Sequence, residues 1–210
     1  MNILIVSCSQ RDESKSLELS KYIDKNIFHK KKESKSSILD LSLYPFLLNN
    51  YGKGRDDEVL LENNKTEVLN LLYACDGIVF VSPEWGGMIP PALVNLLLLS
   101  AYGSANGLPL ANKPAFIVGV SASGGGGNVV SLLKAYSGKN SHLVWIPLHA
   151  IVQNVEEFLK KTWEPEVENR FSQVQSRLET GLDSLFLYTK KLKEVREELL
   201  PLSVKHPYGQ

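Results

Sequence analysis

Short apolar runs alternate with segments of helical periodicity along this chain of 210 residues. Most of the runs are unbroken by polar residues, which is typical of strands buried on both faces of a parallel sheet. Four runs lie at residues 3–6, 37–41, 77–81 and 114–120, and a fifth is a candidate within residues 143–152. Pro147 leaves the limits of this fifth run open. The alternation predicts an open α/β fold, with helices on both faces of a five-stranded parallel sheet.

Helical periodicity predicts five helices, the last of them long, charged and amphipathic. They cover about residues 17–27, 59–73, 92–101, 128–136 and 164–198. The basic cluster at residues 30–32 is interpreted as a solvated helix end, and residues 44–57 as a loop. The tail at residues 201–210 is expected to be poorly ordered or to serve as a contact arm.

The chain carries 23 basic and 23 acidic side chains, so its formal net charge is zero. This balance removes the strong attraction to phosphate backbones and anionic lipids that nucleic-acid-binding and membrane-surface proteins usually have. It does not exclude a local basic patch. We therefore expect neither a nucleic acid nor a membrane as a partner.

Two cysteines, Cys8 and Cys75, are too few for a disulfide framework. Both lie at the edges of apolar runs, so buried free thiols in a reducing compartment are expected. The four histidines show no metal-ligand spacing, and no metal site is predicted. No apolar run has the length and flanks of a signal peptide or of a membrane span, which makes the cytoplasm the expected location.

Three loops of unusual composition leave the carboxyl ends of predicted strands, where open parallel sheets bind ligands. We call them the first loop (residues 7–16), the second loop (82–91) and the third loop (121–128). The second and third loops hold six of the 15 glycines of the chain. This concentration indicates a close approach of backbone to a ligand.

The first loop carries four hydroxyls and one guanidinium and ends where a helix begins. These side chains are Ser7, Ser9, Ser14, Ser16 and Arg11. Together with helix N-terminal N–H groups they suit a phosphate monoester, provided that Asp12 and Glu13 point to solvent. The loop is neither a P-loop nor a dinucleotide fingerprint. The alternative is a polar loop in which Ser14 caps the helix.

The second loop places Trp85 between Pro83 and two glycines, Gly86 and Gly87. A planar aromatic cofactor would fit against this backbone, with its polar edge bound by main-chain N–H groups. The alternative is a surface turn whose tryptophan packs on a neighbour or on a second subunit. The third loop has four consecutive glycines, which is weak evidence by itself.

In this order, the three loops resemble those of the NAD(P)H-dependent FMN reductase family, flavodoxin-like flavoproteins that include quinone, azo and chromate reductases. The matching segments are SQRDES at residues 9–14, SPEWGGMIPPALVN at 82–95 and SASGGGG at 121–127. The resemblance implies a flavodoxin-like fold with strand order 2-1-3-4-5 over about residues 1–155. Residues 156–210 would then form a helical extension packed on the same domain.

By this resemblance, the FMN phosphate would be held by Ser9, Arg11, Ser14 and Ser16. The isoalloxazine would lie against Pro83, Glu84, Trp85, Gly86 and Gly87, with Ser121, Gly124, Gly125 and Gly126 at its pyrimidine edge. The sequence departs from the family pattern at Cys8, Trp85, Gly86, Met88, Pro91 and Val94. These departures affect cofactor affinity and substrate choice more than the fold.

The resemblance implies an enzyme that passes hydride from NADPH or NADH through FMN to a small acceptor. Free flavin, a quinone, an azo compound or a metal ion are all open as acceptors. No catalytic side chain is assigned, because the flavin does the chemistry in such a scheme. The alternatives are a flavodoxin-like electron carrier, which the zero net charge and Arg11 disfavour, and a non-catalytic interaction protein of the same fold.

A homodimer or homotetramer is also expected. The helix after Pro91 is apolar on more faces than one sheet can cover, and a second subunit is the simplest cover. Its leucines are Leu93, Leu96, Leu97, Leu98 and Leu99. The alternative is that the long C-terminal helix covers these leucines within one chain.

Overall fold

The computed structural model describes residues 1–26, 34–48, 58–105, 107–136, 138–160 and 162–209, apart from the side chains of residues 46, 48, 58–63, 103 and 104. The strands are β1 (Asn2–Ser7), β2 (Lys35–Asp40), β3 (Gly77–Pro83), β4 (Pro114–Val120) and β5 (Val144–Val152). The helices are α1 (Lys15–Asn26), α2 (Glu58–Ala74), α3 (Pro91–Leu99), α4 (Tyr102–Ala105), α5 (Gly127–Tyr136), α6 (Val155–Phe158) and α7 (Pro165–Lys205). Two 3-10 turns, Leu41–Leu43 and Pro45–Leu48, follow β2.

The five strands form one parallel sheet in the order β2-β1-β3-β4-β5. The predicted fold class and strand order are therefore confirmed. Because the chain moves outward in one direction from β1 to β2 and in the other from β3 to β5, the strand order reverses between β1 and β3. This reversal is where a sheet of this kind opens a crevice for a ligand.

Each face of the sheet has its own hydrophobic core. One core joins Leu4 and Val6 of β1 to buried side chains of α2, α3 and α5. The other joins Ile3 and Ile5 to α1, α6 and α7. Alternate residues of one buried strand thus serve opposite cores, which explains why the predicted strands are apolar without alternation.

The buried leucines of α3 belong to the core opposite α7. Leu93, Leu96, Leu97 and Leu99 are buried in the core on the face of α2, α3 and α5. The alternative that the long C-terminal helix covers them is therefore wrong. Val94 and Leu98 remain 37% and 48% exposed on the outer side of α3.

Helix α7 extends seven residues beyond the predicted end at residue 198, and Pro201 lies inside it. Side-chain contacts hold this end: Asn112 Nδ2 donates to Ser203 Oγ at 3.0 Å, and the rings of Tyr102 and Tyr208 meet edge to face at 6.4 Å. A proline usually ends a helix, and these contacts with distant residues are not visible in the local sequence. The last described residues thus contact their own chain.

The amino edge of the sheet anchors α7 through Asp76, which is buried directly before β3. Its carboxylate accepts hydrogen bonds from Lys193 Nζ at 3.0 Å and Arg196 Nη1 at 3.3 Å, and from the Asn2 N–H at 2.9 Å. Burial would raise the pKa of Asp76, but these donors outweigh it, and the pKa lies below its ordinary value. The C-terminal helix is therefore fixed to the sheet by charge as well as by apolar packing.

Strand β5 is an edge strand whose pairing with β4 is irregular between Ala115 and Ile117, opposite Pro147. Two of its backbone carbonyls accept hydrogen bonds from long cationic side chains. Lys134 Nζ donates to Pro147 O at 2.6 Å, and Arg177 Nε donates to His149 O at 2.8 Å. The proline and these two cationic side chains disfavour pairing of this edge with a strand of another molecule.

Some predictions fall on residues without a description. The basic cluster at residues 30–32 and residues 49–57 of the predicted loop lie outside the described residues, whereas residues 45–48 of that loop form a 3-10 turn. Among the helices that the structure describes, none combines the length and the apolar character needed to cross a membrane.

Candidate functional site

The three loops meet at the carboxyl edge of the sheet, beside the reversal of strand order. The first loop leads from β1 into α1, the second from β3 into α3, and the third from β4 into α5. Because β1, β3 and β4 are neighbours in the sheet, the loops lie side by side. The structure therefore brings together the three segments that the sequence singled out.

The first loop is a compact turn held by its own serines. Ser9 Oγ accepts the Arg11 N–H at 3.2 Å, and Ser14 Oγ accepts the Leu17 N–H at 3.1 Å. Ser14 is thus the N-cap of α1, which is the alternative to phosphate binding that the sequence left open for this loop. A hydroxyl that accepts one hydrogen bond still has its hydrogen to donate, so this capping role leaves the phosphate role open.

Burial divides the polar residues of the first loop. Ser9 and Ser16 are buried, whereas Asp12 and Glu13 are exposed, as a phosphate site requires. Ser7 Oγ, at the end of β1, is buried and has no hydrogen-bond partner in the part of the chain that is described. A buried hydroxyl without a partner is costly in a finished core, and a bound ligand is one way to satisfy it.

Two contacts join the first loop to the second loop and to the helix that follows it. The Arg11 guanidinium lies over the ring of Trp85, with 4.9 Å between its Cζ atom and the ring centroid. Gln10 Oε1 accepts the Ala92 N–H at 3.2 Å, at the start of α3. The sequence hypothesis gave Arg11 and Trp85 separate roles and gave Gln10 none, because neither contact is visible as a local pattern.

The second loop turns tightly at its two glycines. Trp85 and Met88 exchange both backbone hydrogen bonds at 2.9 Å, and Gly86 and Gly87 between them have φ values of +56° and +83°. A two-residue turn with both φ values positive favours glycine strongly. The conformation of the turn therefore explains why glycine occupies both positions, in addition to the space that these residues leave beside the tryptophan.

Glu84 joins the second loop to the third. Its Oε2 atom accepts the Gly126 N–H at 2.6 Å and the Asn128 N–H at 3.2 Å. These donors belong to the start of α5, where the helix dipole favours a negative charge. The same carboxylate lies close to Gly125, where a Cβ would be only 3.0 Å from Oε1. Glu84 thus positions the third loop, a role that its place in the motif did not reveal.

The third loop has two N–H groups bonded within the loop and two bonded to Glu84 of the second loop. Ser121 Oγ accepts the N–H groups of Ser123 at 3.1 Å and Gly125 at 3.2 Å, and Gly126 donates to Glu84. The Gly124 N–H has no partner among the residues described, and a Cβ at Gly124 would meet nothing within 4 Å. Gly124 is therefore the most accessible N–H donor among the three predicted glycines.

Gln153 holds the third loop through side-chain hydrogen bonds. The sequence analysis did not predict this residue as part of the site. Its Nε2 atom donates to the carbonyls of Gly124 and Gly125, the latter at 3.2 Å, and its Oε1 atom accepts from Arg170 Nη2 at 2.9 Å. A polar residue directly after β5, at the same edge as the three loops, is the signal that could have identified it.

Together, the loops offer hydroxyls and a helix N-terminus from the first loop, an aromatic ring with open glycine backbone from the second, and the Arg11 guanidinium, which lies on that ring. The first loop also has the unpartnered Ser7 hydroxyl, and the third loop has the open Gly124 N–H. This donor set fits a ligand that combines a phosphate monoester with a flat, polar-edged ring. FMN is such a ligand, and the residues present fit it.

Solved structures of similar fold include several oxidoreductases. An oxidoreductase from Corynebacterium diphtheriae is 14% identical, with 90% of this chain and 97% of that chain covered and a TM-score of 0.65. FerB from Paracoccus denitrificans, a flavoenzyme NAD(P)H:(acceptor) oxidoreductase, is 15% identical, with 90% and 97% covered and a TM-score of 0.64. RosB with bound 8-demethyl-8-formylriboflavin-5'-phosphate is 13% identical, with 100% and 82% covered and a TM-score of 0.65.

These likenesses, at such low identity, establish the shared fold. No curated protein sequence matches the chain. The model of one family does match: NADPH-dependent FMN reductase, over residues 1–157. Since this match covers most of the chain and includes all three loops, the protein is an enzyme that belongs to the NADPH-dependent FMN reductase family.

Proposed function

We propose that the protein is a cytoplasmic oxidoreductase that passes hydride from NADPH or NADH, through bound FMN, to a small acceptor. Free flavin, a quinone, an azo compound or a metal ion are the acceptors considered. The observation that carries the proposal is the linkage of the three loops, by Arg11 on Trp85 and by Glu84 on Gly126, into one surface. Family membership supports it, and the buried free thiols Cys8 and Cys75 are consistent with a reducing compartment.

The phosphate end of the proposed site consists of Ser9, Arg11, Ser14 and Ser16. Hydroxyls and the first N–H groups of α1 would donate to the phosphate oxygens, and Arg11 would supply the positive charge. Ser7 adds a fifth donor, because its buried hydroxyl lacks a partner within the described structure. Asp12 and Glu13 are exposed to solvent, which weakens their repulsion of a phosphate.

The ring end of the proposed site is formed by the second and third loops. Bound FMN supplies the hydride-transfer chemistry of the enzyme. Pro83, Trp85, Gly86 and Gly87 would contact the ring, and Glu84 would hold the third loop against it. Ser121 and the glycines at 124–126 would border the pyrimidine edge, where Gly124 has an N–H to donate. The chain's own residues thus bind and orient, and no side chain is assigned to move a proton.

The outer side of the second loop leaves access for a donor and then for an acceptor. Gly86 is exposed and Met88 is 57% exposed, so no large side chain covers this end of the turn. One accessible face suits a scheme in which donor and acceptor bind in turn.

Anaerobic mixing tests the proposal. The FMN-loaded protein is mixed with NADPH or with NADH, and the absorbance of oxidised flavin is followed before and after each acceptor is added. We expect loss of this absorbance with at least one nucleotide and its return with at least one acceptor. Free FMN at the same concentration is the control. Bound flavin that stays oxidised with both nucleotides would instead favour the electron carrier or the non-catalytic protein.

We further propose that the protein is a homodimer, or a homotetramer built from such dimers, through the outer side of α3. Val94 and Leu98 are one turn apart on α3, and Tyr102 at the start of α4 is 36% exposed. Light scattering tests this: wild type should have a multiple of the 23.4 kDa chain mass, and Leu98→Glu should reduce it. Leu187→Glu, at a 65% exposed leucine of α7, is the matched control. A wild-type mass of one chain contradicts the proposal.

A further inference from the structure

An open groove of about 670 Å³ runs between the edge strand β5 and helix α7. Its walls combine apolar and polar side chains. They include Leu148, Arg170, Gln173, Val174, Arg177 and Thr180. The groove lies outside the three loops, and its Arg170 is linked to them only through Gln153 among the contacts described above.

The groove carries positive charge without a compensating carboxylate. No acidic side chain lines it, and neither Arg170 nor Arg177 forms an ion pair with any residue that the structure describes. By contrast, Arg196 on the same helix is paired with Asp76. In a chain of zero net charge, two guanidinium groups along one groove that no carboxylate lines indicate a site for an anion.

Both guanidinium groups are held in place by neutral acceptors. Arg177 Nε donates to His149 O at 2.8 Å, and Arg170 Nη2 donates to Gln153 Oε1 at 2.9 Å. Both arginines are exposed, so each has further N–H groups to donate to a ligand while one hydrogen bond restricts its side chain. Such preorganisation lowers the entropic cost of binding a ligand.

The groove starts next to the proposed flavin site. Gln153, which holds Arg170, also donates to the carbonyls of Gly124 and Gly125, so one side chain separates the groove from the third loop. Arg177 lies seven residues farther along α7, about 10 Å along the axis and on nearly the same face. A ligand that reaches from the third loop into the groove would pass both arginines.

We propose that this groove binds the phosphate-bearing half of the reducing nicotinamide nucleotide. Arg170 and Arg177 contact its phosphates, while Leu148 and Val174 provide the apolar surface for the adenosine. The proposal rests on the proposed function, because that function requires a nucleotide whose nicotinamide lies at the ring end of the site. Anionic groups at two separated positions, the pyrophosphate and the 2'-phosphate of NADPH, match two arginines about 10 Å apart.

Adenosine 2',5'-bisphosphate tests the groove without any turnover. Its affinity is measured by calorimetry for the wild type, for Arg177→Gln and for Lys190→Gln, which removes one positive charge elsewhere on α7. Arg177 is the informative position because it does not touch the third loop. We expect Arg177→Gln to weaken binding by about tenfold or more, the loss of one hydrogen bond between charged groups, and Lys190→Gln to leave it unchanged. Equal affinities for all three proteins, or no binding to the wild type, would overturn the proposal.

A phosphate-free hydride donor separates this proposal from the proposed function. In Arg177→Gln, kcat/KM for NADPH should fall about tenfold, while flavin reduction by 1-benzyl-1,4-dihydronicotinamide and the affinity for FMN stay as in the wild type. An unchanged kcat/KM for NADPH would contradict nucleotide binding in the groove but would not contradict the proposed function. If neither donor reduces the flavin of the wild type, the proposed function is contradicted. The titration with adenosine 2',5'-bisphosphate then tests by itself whether the groove binds a nucleotide phosphate.

Discussion

The two edges of the sheet differ in how their polar groups are satisfied. At the amino edge, Asp76 is paired with Lys193 and Arg196, and buried Lys113 donates to the carbonyls of Leu72 at 2.6 Å and Tyr73 at 2.8 Å. Each of these charged groups has a protein partner, although one nitrogen of Arg196, Nε, is buried without a partner among the described residues. The result is a closed arrangement that fixes α2 and α7 to the sheet.

The carboxyl edge has polar groups without such partners. Arg11 forms no ion pair with the described residues and lies on an aromatic ring, and the hydroxyl of Ser7 has no acceptor or donor there. The Gly124 N–H is also open. Charged and polar groups that satisfy one another stabilise the fold, whereas groups left without partners in an ordered frame are those available to a ligand. The comparison therefore separates stability at one edge from binding at the other.

The largest effect is expected at the amino edge, on stability alone. Asp76→Asn should lower the free energy of unfolding by about 3 kcal/mol at pH 7, because it leaves Arg196 and Lys193 without their carboxylate. Chemical denaturation measures this, and FMN affinity should not change. Glu194→Gln, which breaks the exposed pair of Lys191 and Glu194, is the control and should cost less than about 0.5 kcal/mol.

The same variant has a defined pH dependence. Because the folded-state pKa of Asp76 is below its ordinary value of 3.8, its stabilisation is complete above that value and is lost as the pH falls through the lower folded pKa. The stability difference between wild type and Asp76→Asn should therefore shrink below pH 3.8. A difference that stays constant into acid would assign the effect to packing and not to charge.

At the carboxyl edge, Arg11→Ala should act on binding alone. Loss of one charge-assisted hydrogen bond to phosphate costs about 1.5–3 kcal/mol, or roughly 10- to 150-fold in the dissociation constant of FMN. Fluorescence quenching during titration of the apoprotein measures it, and the free energy of unfolding of the apoprotein should change little. If Arg11→Ala binds FMN as tightly as the wild type does, the first loop does not hold the phosphate.

The sequence was informative about this architecture for a physical reason. Strands buried on both faces must be apolar throughout, and the four clearest runs lie within β1 to β4 or within one residue of them. The end of α7 could not be predicted, because contacts of Ser203 and Tyr208 with distant parts of the chain keep the helix going past Pro201. Local propensity alone does not contain such tertiary contacts.

The candidate functional site was also predictable from the sequence only in part. The positions of the three loops followed from composition and from the topology rule, and family resemblance suggested which residues face a flavin. The links between the loops did not follow, because Gln10 is 82 residues from Ala92 and Glu84 is 42 residues from Gly126. The positive φ values of Gly86 and Gly87 likewise appeared only with the turn itself.

Ser14 has both a capping role and a proposed binding role, and two substitutions separate them. Ser14→Ala should cost about 1 kcal/mol of stability because the cap of α1 is lost, whereas Ser14→Gly should cost only a few tenths, since glycine is tolerated at an N-cap. FMN affinity should fall in both variants alike, because both lack the hydroxyl. Affinity that follows stability, falling with alanine only, would limit Ser14 to the capping role. Denaturation and FMN titration are measured on the same samples.

The smallest effect is expected at the turn of the second loop. Gly86→Asn should change the free energy of unfolding by less than about 0.5 kcal/mol, because asparagine tolerates a φ of +56° and its Cβ would meet nothing within 4 Å. Gly87→Asn is the matched comparison: its φ is +83° and its Cβ would lie 3.3 Å from the side chain of Asn128, so it should destabilise more. Equal losses at the two positions would show that the turn is not as described.

The most direct test of the central claim, that the carboxyl edge is a flavin site, is to identify what the purified protein binds. The protein is denatured, and the released chromophore is identified by chromatography and counted per chain. The claim predicts a yellow protein that releases FMN, up to one per chain, or a colourless apoprotein that binds one FMN per chain on titration. A protein that carries no flavin and takes up none would contradict it.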